Sequence, residues 1–258
     1  MSRSNIVSNT GITERLYRYR SVAKAEELLR ENILWFSSLE KFNDPFEGRY
    51  ILALDENADA YRPFLREMFA QEPNTTSAMI ENRVKQYLGR GIDYIRAELG
   101  ETIRFMQDQV RSRWSFCCFS RVPDDVLMWS HYADCHQGCC IEFSLLPVSD
   151  LGMLQEVKYT REFPRATFVN AMSDEQELAV LAITSKFECW KYEREVRLVR
   201  HQSPGGVPFS RRLIKRAIFG INTPREEKER LIAASGGSGI KLAQASRGSG
   251  YDIIIEPL

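Results

Sequence analysis

No apolar run in this chain approaches the ~20 residues that cross a bilayer as a helix. The longest, such as Leu178–Ile183 and Ile253–Ile255, reach six residues at most, so no membrane partner is expected. Charge of one sign is not in excess either. Lys and Arg together number 35, as do Asp and Glu, and the formal net charge is zero. Nothing in the bulk field therefore argues for nucleic acid or an anionic membrane surface. Met1–Thr10 is polar and lacks the apolar stretch of a secretory signal.

Histidine is scarce, with three in all. His131 and His136 stand near Cys135, Cys139 and Cys140, but structural zinc draws on two separated ligand pairs and only one cluster exists here. No metal is expected. The glycines at 236, 237 and 239 follow a helical stretch, the wrong order for a phosphate-cradling loop. A serine-hydrolase nucleophile elbow is missing as well. The six cysteines include two adjacent pairs in apolar strand-like surroundings, Cys117-Cys118 and Cys139-Cys140. They suit reduced core thiols, and the compartment reads as cytoplasmic.

The 258 residues fit a single domain, 1–258. Leu16–Arg20 alternates as a short strand, and Ser21 starts a helix through about Glu31 with Val22, Ala25, Leu28 and Leu29 on one face. Ile33–Ser38 reads as a buried strand. Phe42–Gly48 is a turn in which Asp44 accepts backbone hydrogens and Phe42 and Phe46 pin the loop to the core. From 56 to 110 the pattern becomes helical, interrupted at Pro73-Asn74 and Gly89–Gly91, which predicts an all-helical insertion. Trp114–Ser120 and Cys139–Phe143 read as strands around a short helix to about Asp134. On that helix Val126, Trp129 and Ala133 share one face, and His131 and Tyr132 lie on another, where they line a pocket. Asp174–Cys189 reads as an amphipathic helix, with Ser185 and Cys189 at core spacing.

Trp190–Val199 carries the densest chemistry. A strand there sets Glu193, Glu195 and Arg197 on one face, with the two carboxylates ~7 Å apart. Such a pair can hold a sugar hydroxyl and stabilise positive charge at a reacting carbon. The alternative is a solvated strand face whose charges pair with one another. Asp44 and Glu47 could also join Glu193 and Glu195 as oxygen ligands of a divalent-metal-dependent nuclease. A third possibility is a non-catalytic nucleotide-sensing module.

Four motifs occur in order: Tyr17-x-Tyr19-Arg20-Ser21, Phe42-Asn43-Asp44-Pro45-Phe46-Glu47, Met128-Trp129-Ser130-His131-Tyr132-Ala133-Asp134-x-His136-x-Gly138 and Trp190-x-Tyr192-Glu193-x-Glu195-x-Arg197. Together they resemble a widespread prokaryotic domain family of unknown function, over about Leu16 to Leu258. A more distant resemblance is to the ADP-ribosyltransferase superfamily. It rests on a strand with an aromatic-Arg pair, a helix, a strand ending in serine and a late Glu-x-Glu strand. That resemblance implies an α+β fold with a mixed, strongly bent sheet and a cleft between the first strands and the Glu-x-Glu strand. It implies NAD as substrate, Arg18 with Tyr19 on the nucleotide, and Ser37 or Ser38 shaping the nicotinamide side. Glu195 would be the catalytic acid and Glu193 the preceding member of the pair. ADP-ribose would pass to a macromolecule or to water, in a toxin or phage-defence setting.

Overall fold

In a computed structural model, residues 14–168, 175–236 and 239–258 are described. Met1–Thr10 and Asp174 lie outside them. The chain forms an α+β fold around one curled, mixed sheet of nine strands, a half-barrel. The first strands are β1 (Glu14–Arg20), β2 (Ile33–Phe36), β3 (Ile51–Ala53), β4 (Ser115–Ser120) and β5 (Cys139–Leu145). There follow β6 (Val148–Ser149), β7 (Gly152–Glu156), β8 (Lys158–Thr160), β9 (Arg165–Thr167), β10 (Ser185–Phe187) and β11 (Glu195–Arg200). β12 (Gly205–Pro208), β13 (Ile214–Phe219), β14 (Lys241–Arg247) and β15 (Ile253–Pro257) complete the set. The large sheet runs β15-β14-β13-β5-β1-β4-β11-β7-β6, parallel only between β13 and β14.

Both faces of this sheet are covered, which is why β1 is buried over its middle rather than alternating. Against one face pack α1 (Val22–Glu31), through Val22, Ala25, Leu28 and Leu29, and the last helix, through Leu231 and Ala234, over Leu16, Phe143, Leu198 and Phe219. On the other, Tyr17, Tyr19, Cys140 and Ile218 meet α5 (Val126–Tyr132) through Met128 and Trp129. Helices α2 (Arg62–Ala70), α3 (Ser77–Leu88) and α4 (Ile92–Arg113) fill the interval between β3 and β4. They share a separate cluster of Tyr61, Leu65, Phe69, Val84, Ile95 and Leu99, closed by Phe168. Among the described residues no helix is long and apolar enough to cross a membrane.

Several boundaries differ from the sequence reading, each for a local reason. The helix expected to reach Cys189 is α6 (Glu175–Thr184). Thr184 and Ser185 donate their hydroxyls back to the carbonyls of Val180 and Leu181, and the chain then turns into β10, which pairs in parallel with β8. Ser185 is buried there, and Cys189 is exposed. β2 stops at Phe36, and Ser37 forms an isolated bridge with Phe116. Val126, placed on one face with Trp129 and Ala133, and Phe46, expected to pin its loop to the core, are exposed, whereas Phe42 stacks on Phe116 at 6.0 Å between ring centroids.

The Ala-Asp-x-His-x-Gly motif closes α5 against the sheet. Asp134, Cys135 and His136 all have left-handed backbone, with φ of 49°, 50° and 67°. The turn is held by Gly138 N donating to Ala133 O at 2.7 Å and Asn222 N donating to His136 O at 3.0 Å. Gly138 admits no side chain, because a Cβ there would lie 2.2 Å from Arg20 O and 2.8 Å from Ala133 O, both backbone atoms. Gly138→Ala is expected to destabilise the protein by about 2 kcal/mol, read as a lower urea midpoint. An unchanged midpoint would show that this junction yields without cost.

Candidate functional site

β1 and β4 are neighbours in the sheet, yet they share one register pair, Tyr17 with Ser120. Beyond it β1 runs on through Arg18, Tyr19 and Arg20 paired with β5, while β4 pairs along its length with β11. The sheet is therefore split, and a cavity of about 400 Å³ opens at the split. That volume is in the range of small-ligand sites. Arg18, Tyr19, Ser37, His131, Tyr132, Glu193 and Glu195 all line it, together with Asn43, Cys118 and Lys186. Ser38 does not line it. Among the described residues, none from 56–110 contributes to the lining.

The two ends of the cavity differ in charge. At one end Arg18 is 6 % exposed and donates from Nη2 to Trp35 O at 3.4 Å. Its Nε and Nη1 have no hydrogen-bond partner, and its guanidinium lies 5.5 Å from the Phe119 ring centroid. No carboxylate among the described residues neutralises it, and burial lowers its pKa to about 10, so it stays charged at neutral pH. Arg20 and Lys41 line the same hollow and also lack an ion-pair partner among the described residues.

At the other end three glutamates surround two cations. Lys186 Nζ lies 2.5 Å from Glu193 Oε2, 3.1 Å from Glu195 Oε2 and 3.8 Å from Glu47 Oε2. Arg197, wholly buried, donates from Nε to Glu195 Oε1 at 2.9 Å and from Nη2 to Glu195 Oε2 at 3.0 Å and Glu47 Oε1 at 2.7 Å. Its Nη1 donates to the Ile183 carbonyl. Tyr132 donates to Glu193 Oε1 at 2.5 Å and accepts from Asn43 Nδ2 at 3.0 Å.

Glu193 is not on the strand. It ends a 3-10 turn, Glu188–Glu193, and Arg194 follows at φ 44° before β11 begins at Glu195. That left-handed residue, a conformation sparse for a non-glycine side chain, turns both carboxylates toward Lys186. The expected one-face alternation is replaced by this turn, with the same convergence. His131 sits at the rim and shares a 2.9 Å hydrogen bond between Nδ1 and Tyr192 OH. Tyr19 OH donates to Val122 O at 2.8 Å and its ring meets Trp129 edge-on, so its polar atom holds the loop after β4. Asp44 accepts from Phe46 N at 2.8 Å, as the turn reading expects.

Three carboxylates against two cations leave one negative charge in excess, and it does not fall evenly. Burial opposes ionisation of Glu195, but Arg197 and Lys186 outweigh it and hold its pKa well below the usual carboxylate range. Burial raises Glu193 and Glu47, despite Lys186 beside the first and Arg197 beside the second. Lys186 is itself raised, because the three glutamates outweigh its burial, so it remains protonated. Burial lifts the Cys118 thiol, and Glu195 beside it adds to the effect, which leaves it neutral and no nucleophile.

These directions set a pH profile. Glu195, depressed, contributes stability above its unfolded pKa that is lost as pH falls toward its folded value. Glu193 and Glu47, raised, contribute stability below their unfolded pKa that is lost as pH rises through their folded values. Urea midpoints are expected to decline as pH rises above the ordinary carboxylate range, and Glu193→Gln is expected to flatten that decline. A profile equally steep in the variant would remove Glu193 from the account.

Lys186 and Asn43 belong to the site without having been assigned to it from sequence, and Glu47, weighed there as a metal ligand beside Glu193 and Glu195, instead accepts from Arg197. The Phe-Asn-Asp-Pro-Phe-Glu motif was the available signal for Asn43. Fold and site together define an α+β protein with a curled mixed sheet and a ligand-sized, charge-divided cavity at a break in that sheet. Residues 128–198 match the family model described as Protein of unknown function (DUF2971), an uncharacterised domain family. It holds His131, Tyr132, Lys186, Glu193, Glu195 and Arg197, and begins after Arg18 and Ser37. No curated protein and no solved structure matches the chain.

Proposed function

We propose that the cavity binds NAD and cleaves its nicotinamide N-glycosidic bond, passing ADP-ribose to a macromolecule or to water. One observation carries this reading: a buried, unneutralised Arg18 shares a cavity with a cluster holding an excess carboxylate. A pyrophosphate fits the first end, where Arg18, Arg20 and Lys41 offer donors and positive charge. Cleavage suits the second. As the bond from ribose C1′ to nicotinamide nitrogen breaks, the electron pair leaves with neutral nicotinamide and positive charge grows at C1′. Glu195, held ionised, stabilises that charge. Glu193, pushed up in pKa, takes the proton as the acceptor oxygen bonds to C1′. The distant resemblance to ADP-ribosyltransferases supports the same roles. A cytoplasmic setting fits too, since all six cysteines are free thiols.

A binding module without turnover is the second reading, favoured by the engagement of both Glu195 oxygens with Arg197 and Lys186. The nuclease reading is weaker, because the Lys186 ammonium occupies the centre a divalent ion would need. Incubation with NAD and chelator, with protein and nucleic-acid acceptors supplied, is expected to release nicotinamide. Glu195→Gln is expected to slow that release about 100-fold while NAD still raises the melting temperature. Stabilisation by NAD with no nicotinamide from either protein would select the binding module. Neither stabilisation nor release would sink both readings.

A further inference from the structure

Behind Lys186 lies a second depression, of about 470 Å³, whose wall Lys186 shares with the first cavity. It is bounded by the two short parallel ribbons β3–β9 and β8–β10 and by the turn that carries Phe46. Its surface is unusual for a solvated face. Phe46, Phe163 and Phe187 are 54 %, 41 % and 47 % exposed, and they stand in one groove rather than scattered. Phe46 and Phe163 are 6.2 Å apart between ring centroids, and the Arg49 guanidinium lies 5.6 Å from the Phe46 centroid. Arg161 and Arg165 also line it, with one carboxylate, Glu162, between them in the chain. Arg161 pairs with Glu188 at 2.6 Å, while Arg49 and Arg165 have no carboxylate partner among the described residues.

We propose that the groove formed by Phe46, Phe163 and Phe187 with Arg49, Arg161 and Arg165 binds single-stranded nucleic acid. Exposed ring faces accept any unpaired base by stacking, and the guanidinium groups of Arg49 and Arg165 beside them, unpaired among the described residues, accept backbone phosphates. A duplex keeps its bases stacked inside and offers these rings nothing. An apolar peptide would use the phenylalanines and leave Arg49 and Arg165 without a counter-charge, so charge complementarity favours the polyanion. The chain's zero net charge is no obstacle, because the footprint is local. The proposal stands on the groove alone and does not depend on NAD chemistry. If both hold, the strand's acceptor group would lie across Lys186 from Glu193 and Glu195.

Fluorescence anisotropy of a labelled 12-nucleotide single-stranded DNA, titrated with the intact protein at low salt, tests this directly. Saturable binding is expected, weaker for the matching duplex and weakened further by added salt. Phe163→Ala and Phe187→Ala are each expected to weaken it roughly 5- to 100-fold. Arg165→Glu, at an exposed position on β9, is expected to weaken it and lower the salt slope. Binding that is absent at low salt would overturn the proposal. So would binding unchanged in all three variants but lost in Arg212→Glu/Lys215→Glu, on the separate basic depression around Glu142. NAD turnover on a non-nucleic acceptor with no DNA binding would overturn this inference and leave the NAD reading intact.

Discussion

Replacing Arg18 with methionine is expected to raise the melting temperature of the free protein and to weaken NAD binding by roughly 10²–10³-fold. The two effects have one cause. A guanidinium removed from water, with two nitrogens unpartnered and no carboxylate nearby among the described residues, destabilises the empty protein. The lowering of its pKa to about 10 expresses the same penalty. Methionine has similar length and no charge, so the variant should gain about 1–3 kcal/mol. In a chain of this size each kcal/mol moves the midpoint by about 2–4 °C. The ligand meanwhile loses the buried charge that would meet its phosphates. Scanning calorimetry with and without NAD measures both. A variant that melts lower yet keeps its NAD-dependent shift would show that Arg18 is a structural residue with no anion to bind.

The opposite end responds in the opposite sense. Lys186→Met leaves Glu47 and Glu195 facing Arg197 alone and takes from Glu193 the one cation that pairs with it among the described residues, and removing one partner of a buried ionic network typically costs about 3–5 kcal/mol. The loss should depend on pH. Without the ammonium, Glu193 and Glu47 rise further above their unfolded pKa, so their stabilising, protonated forms are present at low pH and lost as pH rises. The deficit relative to the wild type is therefore expected to be smaller at pH 5 than at pH 8. Adding Glu193→Gln should restore part of the stability at pH 8, since it removes the charge that Lys186 neutralised. A deficit equal at both pH values, with no rescue, would make Lys186 a packing residue.

How far the chain's local patterns reveal this arrangement depends on the distance over which each contact acts. α1 is legible because its four buried residues repeat at helical spacing, and the turn at Asp44 is legible because its hydrogen bond spans two residues. Glu195 and Arg197 stand two apart and mark themselves. Their third partner, Glu47, is 150 residues from Arg197, and no periodicity connects them. Lys186 escapes for a different reason. It follows an apolar helical stretch with no glycine or proline to end it, and the helix stops through hydroxyls folded back on their own backbone. Glu193 shows the limit of alternation as a guide, since one left-handed residue, Arg194, achieves what the strand pattern was expected to do.

The sheet's interruption has a mechanical consequence. Arg18 and Glu195 belong to halves of the half-barrel sewn together by a single rung, Tyr17 opposite Ser120. A molecule gripping both would act as a clasp across that seam, and its arrival should slow amide exchange in β1 and β4 alike, although neither strand gains a new hydrogen bond from the other.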